Sequence, residues 1–152
     1  MAKRLELKIV TPEEIVFSGK VDYLVAPGVK GIIGVLPKHI PFFSKLEPGE
    51  LKIVRKDKRI MYMALAGGFI QVEPPDKVTI LADSAVRAAN INEAKVVEAK
   101  KRAENLLAKK LSDVEFVKAE ATLRKSLAEL KVVRRKRKTR HRPLPASHLK
   151  SP

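Results

Sequence analysis

The first 87 residues contain short runs in which apolar and polar residues alternate. A period of two puts one face of a strand in a core and the other face in water. Turn dipeptides separate the runs at Pro27-Gly28, Pro48-Gly49 and Gly67-Gly68, as in compact antiparallel sheets. The pattern therefore predicts an antiparallel β-sandwich. Its predicted strands cover residues 5–10, 14–17, 21–26, 31–36, 51–55, 60–65, 69–73 and 78–81.

The apolar period changes to about 3.6 after Arg87, and neither Gly nor Pro occurs again before Pro143. This change predicts helices in place of strands. A break near residues 110–112 divides the segment into two helices. Because the connection is short, the two helices should fold back on each other as an antiparallel hairpin. The fold class predicted for the whole chain is α+β, with a sandwich followed by a helical hairpin.

Both predicted helices begin with a capping signal. Asn90 is followed by Glu93 at the third helical position, so Asn90 is the predicted cap of the first helix. Ser112 and Glu115 form the corresponding pair at the start of the second helix. These pairs predict that the two helices start close to residues 91 and 113.

Each predicted helix carries a narrow apolar stripe with several alanines. Stripes of this kind bury a modest area, so we expect the hairpin to dock weakly and to move. In the first helix the stripe comprises Val96, Ala99, Ala103, Leu106 or Leu107, and Leu111. In the second helix it comprises Phe116, Ala119, Leu123, Leu127, Leu130 and Val133.

The net charge of +15 is concentrated at one end of the chain. Residues 134–152 contain eight Lys and Arg and no acid, which is about half of the excess. Such a segment cannot bury a core, so we predict a disordered basic tail. The predicted domains are therefore the sandwich in residues 1–88, the hairpin in residues 89–133 and the tail in residues 134–152.

The tail allows two interpretations. It can be a solvated extension, or it can bind nucleic acid or anionic lipid, since clustered Lys and Arg gain free energy from counterion release and from the potential of a membrane surface. A stand-alone nucleic-acid-binding adaptor is thus the alternative function. The tail has no aromatic residue on which bases could stack, and the rest of the chain is only mildly basic.

Composition excludes several other classes of function. With no cysteine and three histidines, the chain has no convincing Ser-His-Asp or Cys-His framework, so we predict no catalytic residue and no metal site. No apolar stretch approaches the ~20 residues of a membrane helix, and strand-like residues follow Arg4 without a signal sequence. We therefore expect no membrane insertion and a cytosolic location.

Residues 31–41 combine two glycines and two prolines with apolar side chains. Glycine allows positive φ, and proline fixes φ and removes a donor, so this segment should be a shaped connection between strands. His39 lies within it and has two interpretations. Its imidazole can simply satisfy a neighbouring backbone group, or it can belong to a protruding loop whose backbone shape meets a protein partner.

Three motifs carry a family resemblance. The run from Gly31 to Pro41 reads GxxGxLPxHxP, residues 67–72 read GGFxxV, and residues 77–82 read KVTILA. Together they resemble the epsilon subunit of F-type ATP synthases. The resemblance implies a non-catalytic rotor-stalk subunit that couples the gamma shaft to the membrane c-ring and regulates ATP hydrolysis. It further implies a peripheral location on the cytoplasmic face of the bacterial cell membrane.

The same resemblance implies which residues meet the rotor. In the family, one end of the sandwich sits on the c-ring while another face holds gamma. Ile32 stands where some relatives carry an acid, and Lys38 stands where glycine is usual, so we expect apolar and backbone contacts at this loop. The implied rotor-interface residues are Val29, Lys30, Gly31, Ile32, Gly34 and His39.

For the hairpin, the resemblance implies a second, extended state. In that state the helices would lie along gamma and enter the catalytic head, where basic side chains face acidic segments of the beta subunits and block rotation in the hydrolytic direction. The implied regulatory residues are Arg124, Lys125, Lys131, Arg134 and Arg135.

Some bacterial relatives bind ATP between the folded helices through an I/L-D-x-x-R-A motif. This chain has Ile91, Asn92 and Lys95 at the corresponding positions, so the acid and the arginine are both replaced. The paired arginines of the second helix align with Lys125 and Glu129. Lysine keeps a positive charge but loses bidentate geometry. We therefore expect no bound cofactor, with regulatory ATP binding weak at most.

Overall fold

The computed structural model describes residues 3–141, which form a β-structure followed by two α-helices. Short 3₁₀ turns occupy Lys56–Lys58 and Ala88–Asn90. The strands are β1 Leu5–Val10, β2 Ile15–Val21, β3 Tyr23–Gly28, β4 Gly31–Val35, β5 Phe42–Leu46, β6 Gly49–Val54, β7 Ile60–Leu65, β8 Gly68–Glu73, β9 Lys77–Ala82 and β10 Ala85–Arg87. The helices are α1 Glu93–Leu107 and α2 Asp113–His141.

The strands pair in the order β10-β7-β6-β3-β5-β8-β9-β1-β2, with β4 on β3. β3 pairs with β5 only at Gly28 and Leu46, and there the sheet divides into two halves. All strand pairs of residues 3–141 are antiparallel except β1 with β9, which is parallel. The predicted sandwich is confirmed, with this one parallel pair as an addition.

Alternate residues of the strands fill one core. Both halves of the sheet contribute, since β1 and β9 of one half and β6 and β7 of the other all supply fully buried side chains. The period-two pattern that predicted the strands is the pattern of burial in β1, β3, β8 and β9, whereas β7 ends in three consecutive buried residues. The largest fully buried side chains of this core are Leu5, Leu7, Ile9, Leu24, Leu46, Leu51, Ile53, Met63, Leu65, Ile70 and Ile80.

The sequence pattern did not predict β5 and β10, and each omission has a physical reason. β5 begins directly after Pro41, and its Phe43 points outward, so the expected alternation of apolar and polar residues is broken. β10 is only three residues long and follows the turn at Asp83 and Ser84. The predicted strands agree with those observed, with shifts confined to their ends.

Residues 31–41 are only partly a connection. Gly31–Val35 is β4, and the turn occupies residues 36–41. Gly31 has a φ of +127°, which favours glycine, and it closes the turn from β3. Lys38 also has a positive φ, +66°, and its backbone N–H donates to Oδ1 of Asp76 at 2.6 Å. The segment is therefore a strand with a sharp turn at each end.

The predicted cap of α1 is wrong by two residues. α1 is capped by Asn92, whose Oδ1 accepts the backbone N–H of Lys95 at 3.3 Å. Asn90 instead ends the 3₁₀ turn Ala88–Asn90. The predicted pair at the start of α2 is confirmed, because Ser112 and Glu115 exchange backbone-to-side-chain hydrogen bonds of 3.3 Å each.

α2 runs past the predicted start of the tail at Arg134 and continues to His141. Lys and Arg are good helix formers, and no Gly or Pro intervenes before Pro143, so the helix has no signal to stop. Arg137 pairs with Glu93 of α1, which ties this extra length to the first helix. The predicted tail boundary is corrected accordingly, and residues 142–152 lie outside the described part of the chain.

α2 has two buried faces where the sequence predicted one stripe. It packs against α1 and also against β6 and β7. Ala119 and Leu130 are buried as predicted, whereas Leu127 is 47% exposed. Ala128 and Val132, outside the predicted stripe, are buried. They project from the side of α2 opposite Ala119, since residues nine or thirteen positions apart are about half a turn out of phase.

In α1 the sequence left Leu106 and Leu107 as alternatives. Leu107 is half-buried, whereas Leu106 is 44% exposed and lines a groove between the helices with Ala99, Ala103 and Ala119. Val96 and Ala103 are buried as predicted. Phe116 at the start of α2 is exposed, so the tip of the hairpin is more open than the stripes predicted.

Candidate functional site: the exposed end and outer face of the sandwich

The turn between β3 and β4 protrudes from one end of the sandwich. Gly28 pairs with Gly31, and Val29 and Lys30 between them are exposed. The next residue, Ile32, is 81% exposed. A large aliphatic side chain so fully in water is costly unless a partner covers it. The structure therefore brings together four of the predicted rotor-interface residues at this turn, with Gly34 exposed further along β4.

His39 does not join them. β4 runs from Gly31, paired with Gly28, to Val35, paired with Leu24, so its ends are about 13 Å apart. His39 lies beyond the Val35 end. Its Nδ1 is 2.7 Å from the carbonyl oxygen of Ile40, which requires an Nδ1–H donor, and its ring meets Phe42 edge to face. This geometry matches the simpler of the two interpretations of His39.

A row of apolar side chains, all exposed except the partly buried Val10, crosses the outer face of β5, β8, β9, β1 and β2. We call Phe43, Phe69, Leu81, Val10 and Ile15 the apolar row. Phe43 and Phe69 stack with ring centroids 5.6 Å apart. Phe69 pairs with Leu81, Leu81 with Val10, and Val10 with Ile15. Phe43 is 64% exposed and Leu81 is 53% exposed.

Sequence reasoning missed the apolar row, although a signal was present. In β8 and β9 the pairs Phe69-Ile70 and Ile80-Leu81 place two large apolar residues next to each other. The inward-facing member of each pair, Ile70 or Ile80, is fully buried. Its neighbour must then face outward, because successive side chains of a strand point to opposite faces. Contiguous exposed apolar side chains of this kind mark interaction surfaces.

On the other side of the molecule, two of the predicted regulatory residues bind the sandwich. Arg124 Nη2 lies 3.9 Å from Oε2 of Glu47, and Arg135 Nε lies 3.4 Å from Oε2 of Glu50. The side chain of Glu50 is only 12% exposed. Both arginines project toward the sheet from the face of α2 that carries Ala128. In this closed arrangement they are engaged by acids of the same chain.

The remaining regulatory candidates lie elsewhere on the hairpin. Lys131 and Arg134, together with Lys100 of α1, line a groove of about 450 Å³ between the helices. Lys125 Nζ lies 4.0 Å from Oε1 of Glu129 one turn later in α2. The structure thus divides the five predicted residues among three environments.

Among the described residues, Glu129 is the one whose pKa departs clearly from its ordinary value. Burial raises the pKa of Glu129, because desolvation disfavours the ionised carboxylate, and the nearby Lys125 ammonium opposes this shift. The family resemblance implied that Glu129 and Lys125 stand where ATP-binding relatives carry paired arginines. In this structure the two side chains pair with each other.

The residues at the degenerate ATP motif have structural roles. Asn92 caps α1 through the backbone N–H of Lys95, and the backbone N–H of Ile91 donates to the carbonyl oxygen of Ala88 at 3.4 Å. The Lys95 side chain is exposed. These contacts fix the start of α1.

In residues 3–141, no His, Asp and Glu side chains form a group of three or more that could hold a metal ion. Within the same residues, neither helix has the length and apolar character needed to cross a membrane.

Family models match nearly all of the described chain. Residues 4–88 match the β-sandwich domain of the ATP synthase delta/epsilon chain, and residues 89–134 match its long α-helix domain. The chain belongs to this family. The resemblance carried by residues 31–41, 67–72 and 77–82 is therefore confirmed, as is the fold class of sandwich plus hairpin.

Curated relatives and solved structures agree with this assignment. The ATP synthase epsilon chain of Nitrosomonas eutropha is 39% identical over 144 residues, which cover 93% of this chain and all of the relative. The epsilon chain of Syntrophobacter fumaroxidans is 46% identical over 132 residues, covering 87% and 97%. A chain of the Euglena gracilis mitochondrial ATP synthase has the same fold, with a TM-score of 0.75, 20% identity, and coverage of 86% and 81%.

Proposed function

We propose that the chain is a central-stalk subunit of a bacterial-type F-type ATP synthase. Its sandwich would join the gamma shaft to the membrane c-ring, and its hairpin would restrain ATP hydrolysis. The observation that carries this proposal is the pair of exposed apolar surfaces on one rigid sandwich, the β3–β4 turn and the apolar row. A neighbour in the Tetrahymena thermophila mitochondrial ATP synthase, described as central stalk and c-ring, has a TM-score of 0.60 and 14% identity, and it supports the fold.

The apolar row is suited to the shaft. Its members span five adjacent strands, so the surface is broad and is held by the sandwich core. The hairpin packs on β6 and β7 in the other half of the sheet and leaves the row uncovered. We assign this face to gamma because a rotor part must transmit torque through a wide, stiff contact.

The β3–β4 turn is suited to the c-ring. Ile32 and Val29 present aliphatic surface at one end of the sandwich, and Lys30 adds a single positive charge. An apolar contact of this kind agrees with the replacement of an acid by Ile32. Catalysis would remain with other subunits, so the chain would act by binding its partners and transmitting torque between them. It would be peripheral, at the cytoplasmic face of the bacterial membrane.

The hairpin would restrain hydrolysis by leaving the sandwich. Arg124 and Arg135 contact Glu47 and Glu50 in the closed arrangement. In an extended arrangement the same arginines, with Lys131 and Arg134, would meet acidic segments of the beta subunits. The two arrangements therefore compete for one basic surface. ATP would bind weakly or not at all, because the motif at Ile91, Asn92 and Lys95 lacks its acid and its arginine.

Deleting residues 89–152 in the assembled enzyme tests the hairpin. We expect ATP hydrolysis to rise, because the extended state can no longer form. Deleting only residues 142–152 is the matched control, since it leaves α1 and α2 intact, and it should have little effect. Unchanged hydrolysis after the larger deletion would exclude the inhibitory role while leaving the stalk assignment standing.

Coupling is tested by Ile32→Asp in reconstituted vesicles. A charge at this turn should weaken the contact with the c-ring, so ATP-driven proton pumping should fall while ATP hydrolysis by the detached head stays unchanged. Ile40→Asp is the matched control, because Ile40 is 72% exposed but lies at the opposite end of β4. Equal loss of pumping in both variants would exclude the β3–β4 turn as the specific contact.

A further inference from the structure

A concave basic surface lies at the end of the sandwich away from the β3–β4 turn. We call it the basic cleft and define it by the cationic residues that line it, Lys3, Arg4, Lys20, Lys56 and Lys77. Its volume is about 670 Å³. The cations come from the segment before β1, the end of β2, the 3₁₀ turn before β7 and the start of β9. Folding, and not a local run of lysines, therefore assembles this charge.

Strand register fixes part of the cleft. Glu6 on β1 pairs with Lys20 on β2 and with Lys77 on β9, so the three side chains stand side by side on one face. Neighbours in such a row have Cβ atoms about 5 Å apart. One carboxylate thus lies between two ammonium groups. A smaller groove of about 310 Å³ continues along the same strands and adds Lys8.

The acids of the cleft do not balance its cations. Glu6 and Asp76 are the two carboxylates in the lining, against five cations. Asp76 already accepts the backbone N–H of Lys38 at 2.6 Å. Arg4 Nε lies 3.4 Å from Oδ1 of Asp22, which is not among the lining residues. An excess of positive charge in a concave site concentrates the electrostatic field and raises the local concentration of anions.

We propose that the basic cleft binds a small, soluble phosphate-bearing anion. Lysine ammonium groups bind phosphate as point charges, and Arg4 can add a planar donor. The residues that line the cleft include no aromatic side chain, so a nucleobase would find no stacking platform there. Recognition would therefore rest on phosphate charge alone. The inference rests on this cleft and not on the proposed function.

The test uses the full chain, with sodium pyrophosphate as the soluble probe in low-salt calorimetry. Lys20→Gln with Lys77→Gln should weaken pyrophosphate binding by at least about tenfold, as expected for the loss of two charged partners. Lys109→Gln with Lys110→Gln is the control, because it removes the same charge at exposed positions between α1 and α2. It should change the affinity by less than about twofold.

A second arm measures retention on vesicles of phosphatidylcholine with and without phosphatidylglycerol. Retention that needs phosphatidylglycerol and is lost in the Lys20 and Lys77 variant, without pyrophosphate binding, would contradict a soluble ligand. Saturable pyrophosphate binding without such retention identifies a free phosphate. Lys56→Gln, in the 3₁₀ turn, should also weaken binding. This result would show that the effect does not depend on β2 and β9 alone. No binding in either arm, or equal losses in cleft and control variants, would overturn the proposal.

Discussion

Lys38 shows how one backbone angle in the turn before β5 is maintained. Its φ of +66° costs a non-glycine residue about 1–2 kcal/mol, because Cβ approaches the following carbonyl oxygen. The hydrogen bond from its backbone N–H to Asp76 holds the turn in that shape. The turn therefore keeps its geometry through a contact 38 residues away in sequence.

We predict that Lys38→Gly stabilises the chain. Glycine removes the steric cost but adds chain entropy to the unfolded state, so the net gain in the free energy of unfolding should be about 0.5–1 kcal/mol. Lys30→Gly is the control, because Lys30 does not have a positive φ, and it should destabilise slightly. Urea unfolding measures both. A loss of stability for Lys38→Gly similar to that of Lys30→Gly would contradict the predicted strain.

Glu129 sets a pH dependence for α2. Burial raises its pKa, so its contribution to stability is present at low pH and is lost as the pH rises through the raised value. We therefore predict that Glu129→Gln is more stable than the parent chain at pH 7. The difference should vanish below about pH 4, where the parent carboxyl is protonated in both folded and unfolded states.

Urea unfolding followed by helical circular dichroism at pH 7 and pH 4 measures this difference. Glu120→Gln is the control, since Glu120 is exposed on the same helix, and it should show no comparable gain. If Glu129→Gln is less stable than the parent at pH 7, attraction to Lys125 outweighs desolvation and the prediction is wrong.

At the scale of elements, the sequence predicted what depends on local rules. The alternation of β1 and the Ser112–Glu115 box are local, and they appear in the structure as predicted. The faces of α2 are not local. Its C-terminal half lies between α1 and the sheet, so Ala128 and Val132 are buried by partners distant in sequence. A single amphipathic stripe could not reveal a helix with two partners.

The same distinction between local and non-local rules applies to the candidate site. Glycines and prolines predicted a shaped segment at residues 31–41, and the exposed turn at Ile32 agrees with it. The apolar row could not be predicted with equal security, because adjacent apolar residues such as Ile80 and Leu81 also suit a strand buried on both faces. Only strand order shows that one face of β9 is left open.

The cap of α1 gives a prediction at this scale. Asn92→Ala should destabilise α1 by about 1 kcal/mol, because the backbone N–H of Lys95 loses its partner. Asn90→Ala is the matched control and should stay within about 0.5 kcal/mol. Hydrogen exchange at the Lys95 amide is the direct measurement. If Asn90→Ala accelerates exchange more than Asn92→Ala, the corrected cap is wrong.

At the scale of the molecule, two kinds of contact coexist. The sandwich is held by a continuous core of large aliphatic side chains. The hairpin meets β6 and β7 through small buried residues such as Ala128, and through the arginine pairs with Glu47 and Glu50. The exposed Arg124–Glu47 pair contributes only about 0–1 kcal/mol, whereas the Arg135–Glu50 pair is less screened by water because the Glu50 side chain is 12% exposed. The hairpin is therefore the part whose docking can be reversed at modest cost while the sandwich stays folded.

This difference predicts that Glu47→Gln with Glu50→Gln shifts the hairpin away from the sandwich. The chain has no cysteine, so spin labels on cysteines introduced at Glu14 and Lys118, both exposed, report one distance between sandwich and α2. At low salt, the loss of these two ion pairs should raise the population of longer distances by up to about tenfold. High salt should shift the parent chain in the same direction, since salt screens exposed charges. Glu98→Gln with Glu120→Gln removes equal charge from the outside of the hairpin and should leave the distances unchanged. If the Glu47 and Glu50 variant also leaves them unchanged, apolar packing alone holds the hairpin closed.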